Sequence, residues 1–307
     1  MSLPPRAGMQ APDQALSWRV LADEPLTGAT NMARDHALAA ALSPGTGTLR
    51  LYRWTPATLS LGRNEPFTVG YREFLRERPD LDVVRRPTGG RAVLHDRELT
   101  YSVVLPARAF GGPRRAYRRI NEALVEGLRG LGADARVSGG RALPPDAGPC
   151  FLEPAEGEVV VAGRKVVGSA QVRIGSAVLQ HGSILLWTDQ SPLLARAALA
   201  GAGAPARETA APHGISGDDA WSGAIDRDAA GAYRARGGAA PDPSRPITLA
   251  EVLGDVPAWP RLVAEFSAGF ARTLGGSWSR GSMNEHEGAL AAGFESRYAS
   301  RAWTWRR

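Results

Sequence analysis

The chain switches between two hydrophobic periods, and the switches outline its architecture. Apolar residues spaced three and four apart mark helices, whereas alternation of apolar and polar residues marks strands. The clearest helix is predicted over residues 114–131. There Tyr117, Ile120, Leu124, Leu128 and Leu131 fall on one stripe, and Gly132 supplies the C-cap. A second is predicted over 31–42, opened by Thr30 or Asn31 and closed by Ser43, Pro44 and Gly45. A short helix over 71–78 stops at Pro79. Residues 48–54 set Leu49 and Leu51 against Arg50 and Tyr52 and predict a strand. Further strands are predicted over 58–61, 82–86, 91–94, 99–105, 158–161, 165–171 and 178–186, and helices return at 249–254, 261–273 and 285–298. Strands gathered between helices, without a regular βαβ rhythm, predict an α+β fold: a mixed β-sheet with flanking helices.

The 307 residues are 43% hydrophobic and 22% charged, ordinary proportions for a chain that buries a sizeable core. They read as one domain over 1–307, with a loose leader at 1–15 and a helical C-terminal segment at 282–307. Residues 201–246, rich in Ala, Gly, Pro and Asp with little periodicity, read as a mobile insertion. Apolar runs such as 37–42 are too short to cross a bilayer, and the first 14 residues lack the apolar stretch of a secretory signal. The expectation is a cytoplasmic protein with no membrane partner. A single cysteine, Cys150, excludes an internal disulfide and a cysteine-rich zinc site, and the five histidines lack metal-ligand spacing. No metal is expected.

The formal charge of +6 and the pI of about 10.0 raise the possibility of a nucleic-acid partner. The arginines are spread out, however, and the densest cluster is only Arg114, Arg115, Arg118 and Arg119. No zinc-finger spacing, stacking aromatics or basic tail accompanies them, so no nucleic-acid partner is expected. A basic surface that docks an acidic protein fits the same charge. One count is more telling. Of 37 basic side chains, Lys165 is the only lysine. Where arginine has replaced lysine everywhere else, the survivor is expected to do what a planar, permanently charged fork cannot.

Three segments carry candidate chemistry. Arg85-Arg86-Pro87-Thr88-Gly89-Gly90-Arg91 joins two strands, and its paired glycines allow close approach of the backbone to a ligand. The only lysine follows no Walker loop, and neither a G-x-G-x-x-G nor a G-x-S-x-G motif is present. Along 165–171, strand alternation is expected to place Lys165, Ser169 and Gln171 on one face, and Val166, Gly168 and Ala170 on the other. The third segment holds His181. Cys150, which follows a Gly/Pro loop, is either a small buried hydrophobe or, near a lysine, a reactive thiolate.

The run from Val84 to Asp96, with Arg-Arg-Pro-Thr-Gly-Gly-Arg-Ala-Val-Leu-His within it, resembles a signature of the lipoate–protein ligase and octanoyltransferase group, relatives of the biotin ligases. Gly163-Arg-Lys-Val-Val-Gly-Ser-Ala-Gln171 and Gln180-His-Gly-Ser-Ile-Leu-Leu186 are similar to two further motifs of that group, in the same order. Asn31-Met-Ala-Arg-Asp35, Leu59-Ser-Leu-Gly62 and 297–303 extend the similarity. The G-R-G-R-x-G loop of biotin ligases is missing. The pair Cys150-Phe151 resembles the one that cysteine-dependent octanoyltransferases carry shortly before the lysine strand.

The resemblance implies a biotin/lipoyl ligase-like domain that moves an octanoyl group from acyl carrier protein to a lysine of a lipoyl-domain acceptor, such as the glycine-cleavage H protein. It implies Cys150 as nucleophile, and Lys165 as partner of the thiolate or donor to the carbonyl oxygen. Arg86, Thr88 and His95 would line the acyl tunnel or its mouth. Backbone N–H groups at Gly89 and Gly90, or near Gly168 and Ser169, would supply oxyanion donors. Gln171 and His181 would either organise Lys165 or serve structure alone. No cofactor is implied; ATP and Mg²⁺ enter only under the alternative, an ATP-dependent lipoate–protein ligase.

Overall fold

The computed structural model describes residues 15–139, 157–188, 190–193, 195 and 245–306. Cys150, the leader but for its last residue, and the 201–246 insertion but for its last two residues lie outside the described residues. In chain order the described elements are β1 (Ser17–Ala22), α1 (Gly28–Ala40), β2 (Thr46–Tyr52), β3 (Thr58–Leu61), α2 (Val69–Glu77), β4 (Asp82–Arg85), β5 (Val93–His95), β6 (Leu99–Pro106), α3 (Pro113–Gly130) and β7 (Ala135–Val137). They continue with β8 (Val159–Val161), β9 (Arg164–Lys165), β10 (Val167–Ile174), β11 (Ala177–Ile184), α4 (Leu249–Leu253), α5 (Trp259–Leu274), β12 (Ser277–Arg280), α6 (Glu285–Ala299) and α7 (Arg301–Thr304).

The main sheet has the order β10-β11-β6-β2-β1-β12, antiparallel from β10 to β2 and parallel from β2 to β12. It is the mixed sheet that the periodicity predicts. One face packs Trp18, Leu49, Leu51, Tyr101 and Val103 against Ile120 and Leu124 of α3 and Phe266 and Phe270 of α5. The other face receives α1, through Leu38 against Leu21, Val104 and Leu179. Helix α6 lies over α1, where His36 stacks on Phe294 at 4.0 Å and bonds Tyr298 Oη at 2.9 Å. Two small sheets, β4-β3-β5 and β7-β8-β9, attach beside it. The first has its own apolar cluster of Leu59, Leu61, Tyr71, Phe74 and Leu94.

Three differences from the predicted elements have physical causes. Helix α1 starts earlier than expected because the Thr27 hydroxyl accepts from the Thr30 N–H at 3.2 Å, so Thr27 is the N-cap. Strands β1, β7 and β12 were not predicted. β12 is a polar edge, held by its parallel pairing with β1 and by the Trp18–Trp278 stack at 4.9 Å. The predicted strand 165–171 is two strands. Arg164 and Lys165 pair with β8, the chain turns at Val166, and Val167–Ile174 pairs with β11.

Helices α3 and α5 cross through glycines. A Cβ at Gly269 would lie 2.4 Å from the Gly127 nitrogen and 2.9 Å from the Ala123 oxygen, backbone that cannot yield cheaply. On α6, a Cβ at Gly288 would meet nothing within 4 Å. Alanine favours a helix over glycine by about 0.5–1 kcal/mol, so Gly288→Ala is expected to raise the melting temperature. Gly269→Ala is expected to lower it, because overpacking costs about 1–3 kcal/mol. Parallel thermal melts check both, and equal signs for the two would contradict the close crossing.

Candidate active site

The site is built on a carboxylate that the alternation pattern does not advertise. Asp35, on α1, is fully buried. Its Oδ1 accepts from Arg50 Nη1 at 2.8 Å and Ser102 Oγ at 2.7 Å; its Oδ2 accepts from Tyr52 Oη at 2.9 Å and His181 Nδ1 at 3.0 Å. Arg50 also reaches Asp23 Oδ2 at 2.8 Å and Asn31 Oδ1 at 2.7 Å. The polar face of β2, Arg50 and Tyr52, therefore points at α1 rather than at solvent. Burial by itself would raise the Asp35 carboxyl, but His181, Arg50 and Ser102 together hold it below the ordinary carboxylate value. Burial pushes His181 down, against the pull of Asp35. The imidazole is thus neutral near pH 7. Because Asp35 only accepts, Nδ1 carries the proton, and Nε2 accepts from the Thr88 hydroxyl at 2.6 Å.

A second chain of hydrogen bonds runs beside the first. His95 Nδ1 lies 2.7 Å from Glu98 Oε1, and its Nε2 lies 2.7 Å from Ser60 Oγ. Glu98 also accepts from Thr100 and Ser183, and Trp54 donates to Thr100 at 2.7 Å while stacking on the His95 ring at 4.0 Å. Arg86 fixes the glycine turn from inside. Its Nη1 donates to Ser60 O at 3.0 Å, and its Nη2 to Gly89 O at 2.8 Å and Arg91 O at 2.6 Å.

Between these networks lies a cavity of about 100 Å³. Met32, Tyr52, Trp54 and Val93 give it apolar wall, and Glu158 and Lys165 meet there at 2.6 Å between Oε1 and Nζ. Lys165 is buried and sits where two chain segments rejoin the fold. Ser138 N–H bonds Glu158 O at 2.7 Å on one side, and Ile247 N–H bonds Lys165 O at 2.9 Å on the other.

Of the residues singled out in the sequence, Arg86, His95, Lys165, Gly168, Ser169 and His181 line this cavity. Thr88 stands behind His181 rather than in the wall. Gly89 and Gly90 form an exposed turn outside the lining, and Gly90 has φ of 90°. The expected face of β10 is corrected. Ser169 and Gln171 do share a face, but their side chains bond on the α3 side, Ser169 Oγ to Tyr101 Oη at 2.7 Å and Gln171 to Gln180 and the Pro113 carbonyl, while Ser169 still borders the cavity. Register pairs Gly168 with Ser183 and Ala170 with His181, so these small residues face the cavity, and Lys165 belongs to a different strand. Sequence reasoning missed Asp35, Arg50, Ser60, Glu98 and Glu158. The Asn31-to-Asp35 motif was a signal for the first. Among the described residues no group of His, Cys, Asp and Glu is placed to hold a metal, and no helix is long and apolar enough to cross a membrane.

Acid sensitivity follows from these environments. A histidine whose folded pKa is depressed stabilises the fold fully above the unfolded value near 6.5, and the contribution is lost as pH falls through the folded value. Asp35 adds the same dependence only below about 3.8. The melting temperature is expected to fall between pH 7.5 and 5, and less steeply in His181→Gln. His36, lowered by burial and by Arg297 and Arg63, keeps part of the slope in the variant. Identical slopes for the two proteins would show that His181 does not titrate against the fold.

Comparison with known proteins agrees with this geometry. Residues 27–215 match the Lipoyl protein ligase A/B catalytic domain. The chain is 36% identical over 309 residues to an Octanoyltransferase LipM from Symbiobacterium thermophilum, covering 95% of this chain and 99% of that one. It is 41% identical over 192 residues to the Octanoyltransferase LipM of Bacillus subtilis, covering 59% of this chain and 69% of that one. Among solved structures it is similar to a lipoate-protein ligase A bound with ATP, at a TM-score of 0.69 and 21% identity, over 94% of this chain and 99% of that one. A bi-partite lipoate protein ligase from Thermoplasma acidophilum superposes with a TM-score of 0.63 at 21% identity, over 94% and 96% of the two chains. At that identity the structural likeness is one of fold.

Proposed function

Because the chain belongs to the lipoyl protein ligase A/B catalytic-domain family, we propose that it is an octanoyltransferase of protein lipoylation, taking its acyl group from a carrier thioester and giving it to a lysine of a lipoyl-domain acceptor. The observation that carries the reading is the cavity itself. It has apolar wall from Trp54, Met32 and Val93, cavity-facing positions kept small by Gly168 and Ala170, and one compact cation, Lys165, in its wall. The apolar wall suits the hydrocarbon of an acyl donor next to its carbonyl, and a thioester carbonyl suits the cation.

In this reading the Cys150 thiolate attacks the thioester carbonyl. The carbon–sulfur bond to the carrier arm breaks, the carrier thiol leaves, and an octanoyl-enzyme thioester remains. A neutral acceptor lysine then attacks that carbonyl, the carbon–sulfur bond breaks, the Cys150 thiolate departs, and the proton that the nitrogen loses passes to solvent as the amide forms. Exchange of one thioester for another is nearly balanced and amide formation is downhill, so the cycle draws on no nucleotide. Lys165 Nζ answers the charge that grows on the carbonyl oxygen in both steps. Glu158 orients that ammonium through the 2.6 Å contact. Asp35, His181 and Thr88 hold the wall; they are positioning residues.

Intact-mass measurement after mixing the protein with octanoyl-carrier, without nucleotide, is expected to show one octanoyl adduct, absent in Cys150→Ala. Lys165→Arg keeps the charge but replaces a point by a plane. Loss of one well-aimed oxyanion donor costs about 10²–10³ in rate, so this variant is expected to lose at least about a hundredfold with little change in melting temperature. A strict requirement for ATP and Mg²⁺ would instead make the protein a lipoate ligase.

Ala170→Leu tests the cavity. Displacing roughly three methylenes at about 0.8 kcal/mol each predicts a loss near 50-fold in kcat/KM for an octanoyl donor. A butyryl donor is expected to lose little. Equal losses for both donors would place the acyl chain elsewhere.

A further inference from the structure

A second cavity, of about 360 Å³, is lined by Arg63, Asn64, Arg85 and Arg306, and none of its chemistry is used in the acyl-transfer steps above. Arg85 forms its buried part. The side chain is wholly inaccessible; its Nε donates to Thr304 O at 2.8 Å, and its Nη1 to Gly62 O at 2.6 Å and Glu65 O at 2.7 Å. Its Nη2 is buried with no acceptor among the described residues. Leaving a buried charged donor unpaired is costly, and such a group in a native fold points to something that completes it.

The charges around it favour an anion. Arg306 rests on the Trp303 ring at 3.8 Å and donates to the Arg63 carbonyl, which brings a second and a third guanidinium to the rim. Burial lowers Arg85, and Arg306 and Arg86 lower it further. Arg306 is lowered by burial and then by Arg63 and Arg297. Glu65, the carboxylate that faces Arg85, is already committed to Tyr71 Oη and to the Gly62 and Ala92 N–H groups. Three guanidinium groups around one opening match the charge and the several acceptor oxygens of a phosphate group, Arg85 through the Nη2 that its other hydrogen bonds leave over.

The position ties this cavity to the first. Arg85 and Arg86 are consecutive residues, one lining each cavity. Arg63 N–H donates to Thr88 O at 2.7 Å, and Thr88 holds His181 of the acyl cavity. We infer that the Arg63–Arg85–Arg306 cavity is a phosphate-ester site, which holds the phosphate of a substrate whose acyl end lies in the neighbouring cavity. The second half rests on the acyl-transfer reading. There the phosphate is that of the donor's pantetheine arm; on a nucleotide-dependent reading it would be that of a nucleotide.

Calorimetric titration of the full chain with phosphopantetheine, AMP and inorganic phosphate tests the site without any turnover. Binding of at least one is expected, weakened at least tenfold in Arg63→Gln and in Arg306→Gln, whose melting temperatures stay near that of the parent because both residues lie at the rim. Arg85→Lys is the buried counterpart, read only if it melts cooperatively. Tighter binding of phosphopantetheine than of AMP assigns the phosphate to the acyl donor, and the reverse order assigns it to a nucleotide; either supports the site. No binding of any probe, or binding indifferent to both rim substitutions, overturns it and leaves a water-filled cavity. Octanoyl-pantetheine, which lacks the phosphate, acylates the parent protein or not regardless of this outcome, so failure of the transfer reading registers separately.

Discussion

The structure depends on burying one ionised carboxylate. Asp35 brings helix α1 onto strands β2, β6 and β11 at once, because its four hydrogen bonds come from Arg50, Tyr52, Ser102 and His181. A buried ion pair seldom stabilises a fold relative to apolar residues of the same shape, because desolvation of two charges consumes the Coulombic gain. Its effect is on which arrangement is allowed. Any shift of α1 along the sheet would leave Arg50 or Asp35 alone in the interior, and removing one partner of such a pair costs about 3–5 kcal/mol. Nonspecific apolar contacts such as Leu38 with Val104 and Leu179 tolerate sliding; this network does not.

That constraint fixes the site one bond further out. A neutral His181 held at Nδ1 has a single orientation for Nε2, which receives the Thr88 hydroxyl and so locates the turn after β4. Arg86 locks the same turn from its other side through three backbone carbonyls. The small sheet and the main sheet are therefore joined at the cavity by the hydrogen bond between Thr88 and His181, with Arg86 holding the turn that carries Thr88. Preorganisation of this kind holds the wall and the Lys165 cation in place before any ligand enters.

Much of the fold was legible because helices α3 and α5 and strands β2, β3, β6 and β11 carry strong local periods. The strand at 165–171 misled for a definite reason. Alternation says which residues share a face, as Ser169 and Gln171 do, but not which face meets a cavity, and it cannot see a break at a residue as strand-like as Val166. Small residues at 168 and 170 were the better signal, since a strand face that must admit a ligand gives up side-chain volume. Arg50 and Tyr52 misled in the opposite sense. A polar strand face ordinarily means solvent, and only the long-range partner Asp35 turns it into core. The edge strand β12 had no local signal, because its pairing with β1 spans most of the chain.

The arginine-rich composition takes a different meaning once burial is known. Arg50, Arg85, Arg86 and Arg164 are buried, and their forks bridge carbonyls and carboxylates of separate elements: Arg164 alone reaches Arg245 O, Pro246 O and Glu251. Part of the positive charge is thus internal bracing, so the net charge overstates the basic surface. The exposed cluster on α3 is itself partly answered by Glu122 and the Thr273 carbonyl. A guanidinium suits bracing because its donors diverge in a plane and can satisfy several fixed acceptors at once. Lys165 has a different geometry around it, one carboxylate at 2.6 Å and an open cavity beside it. There a compact ammonium places a point charge at the cavity wall, which a planar fork with diverging donors does not reproduce.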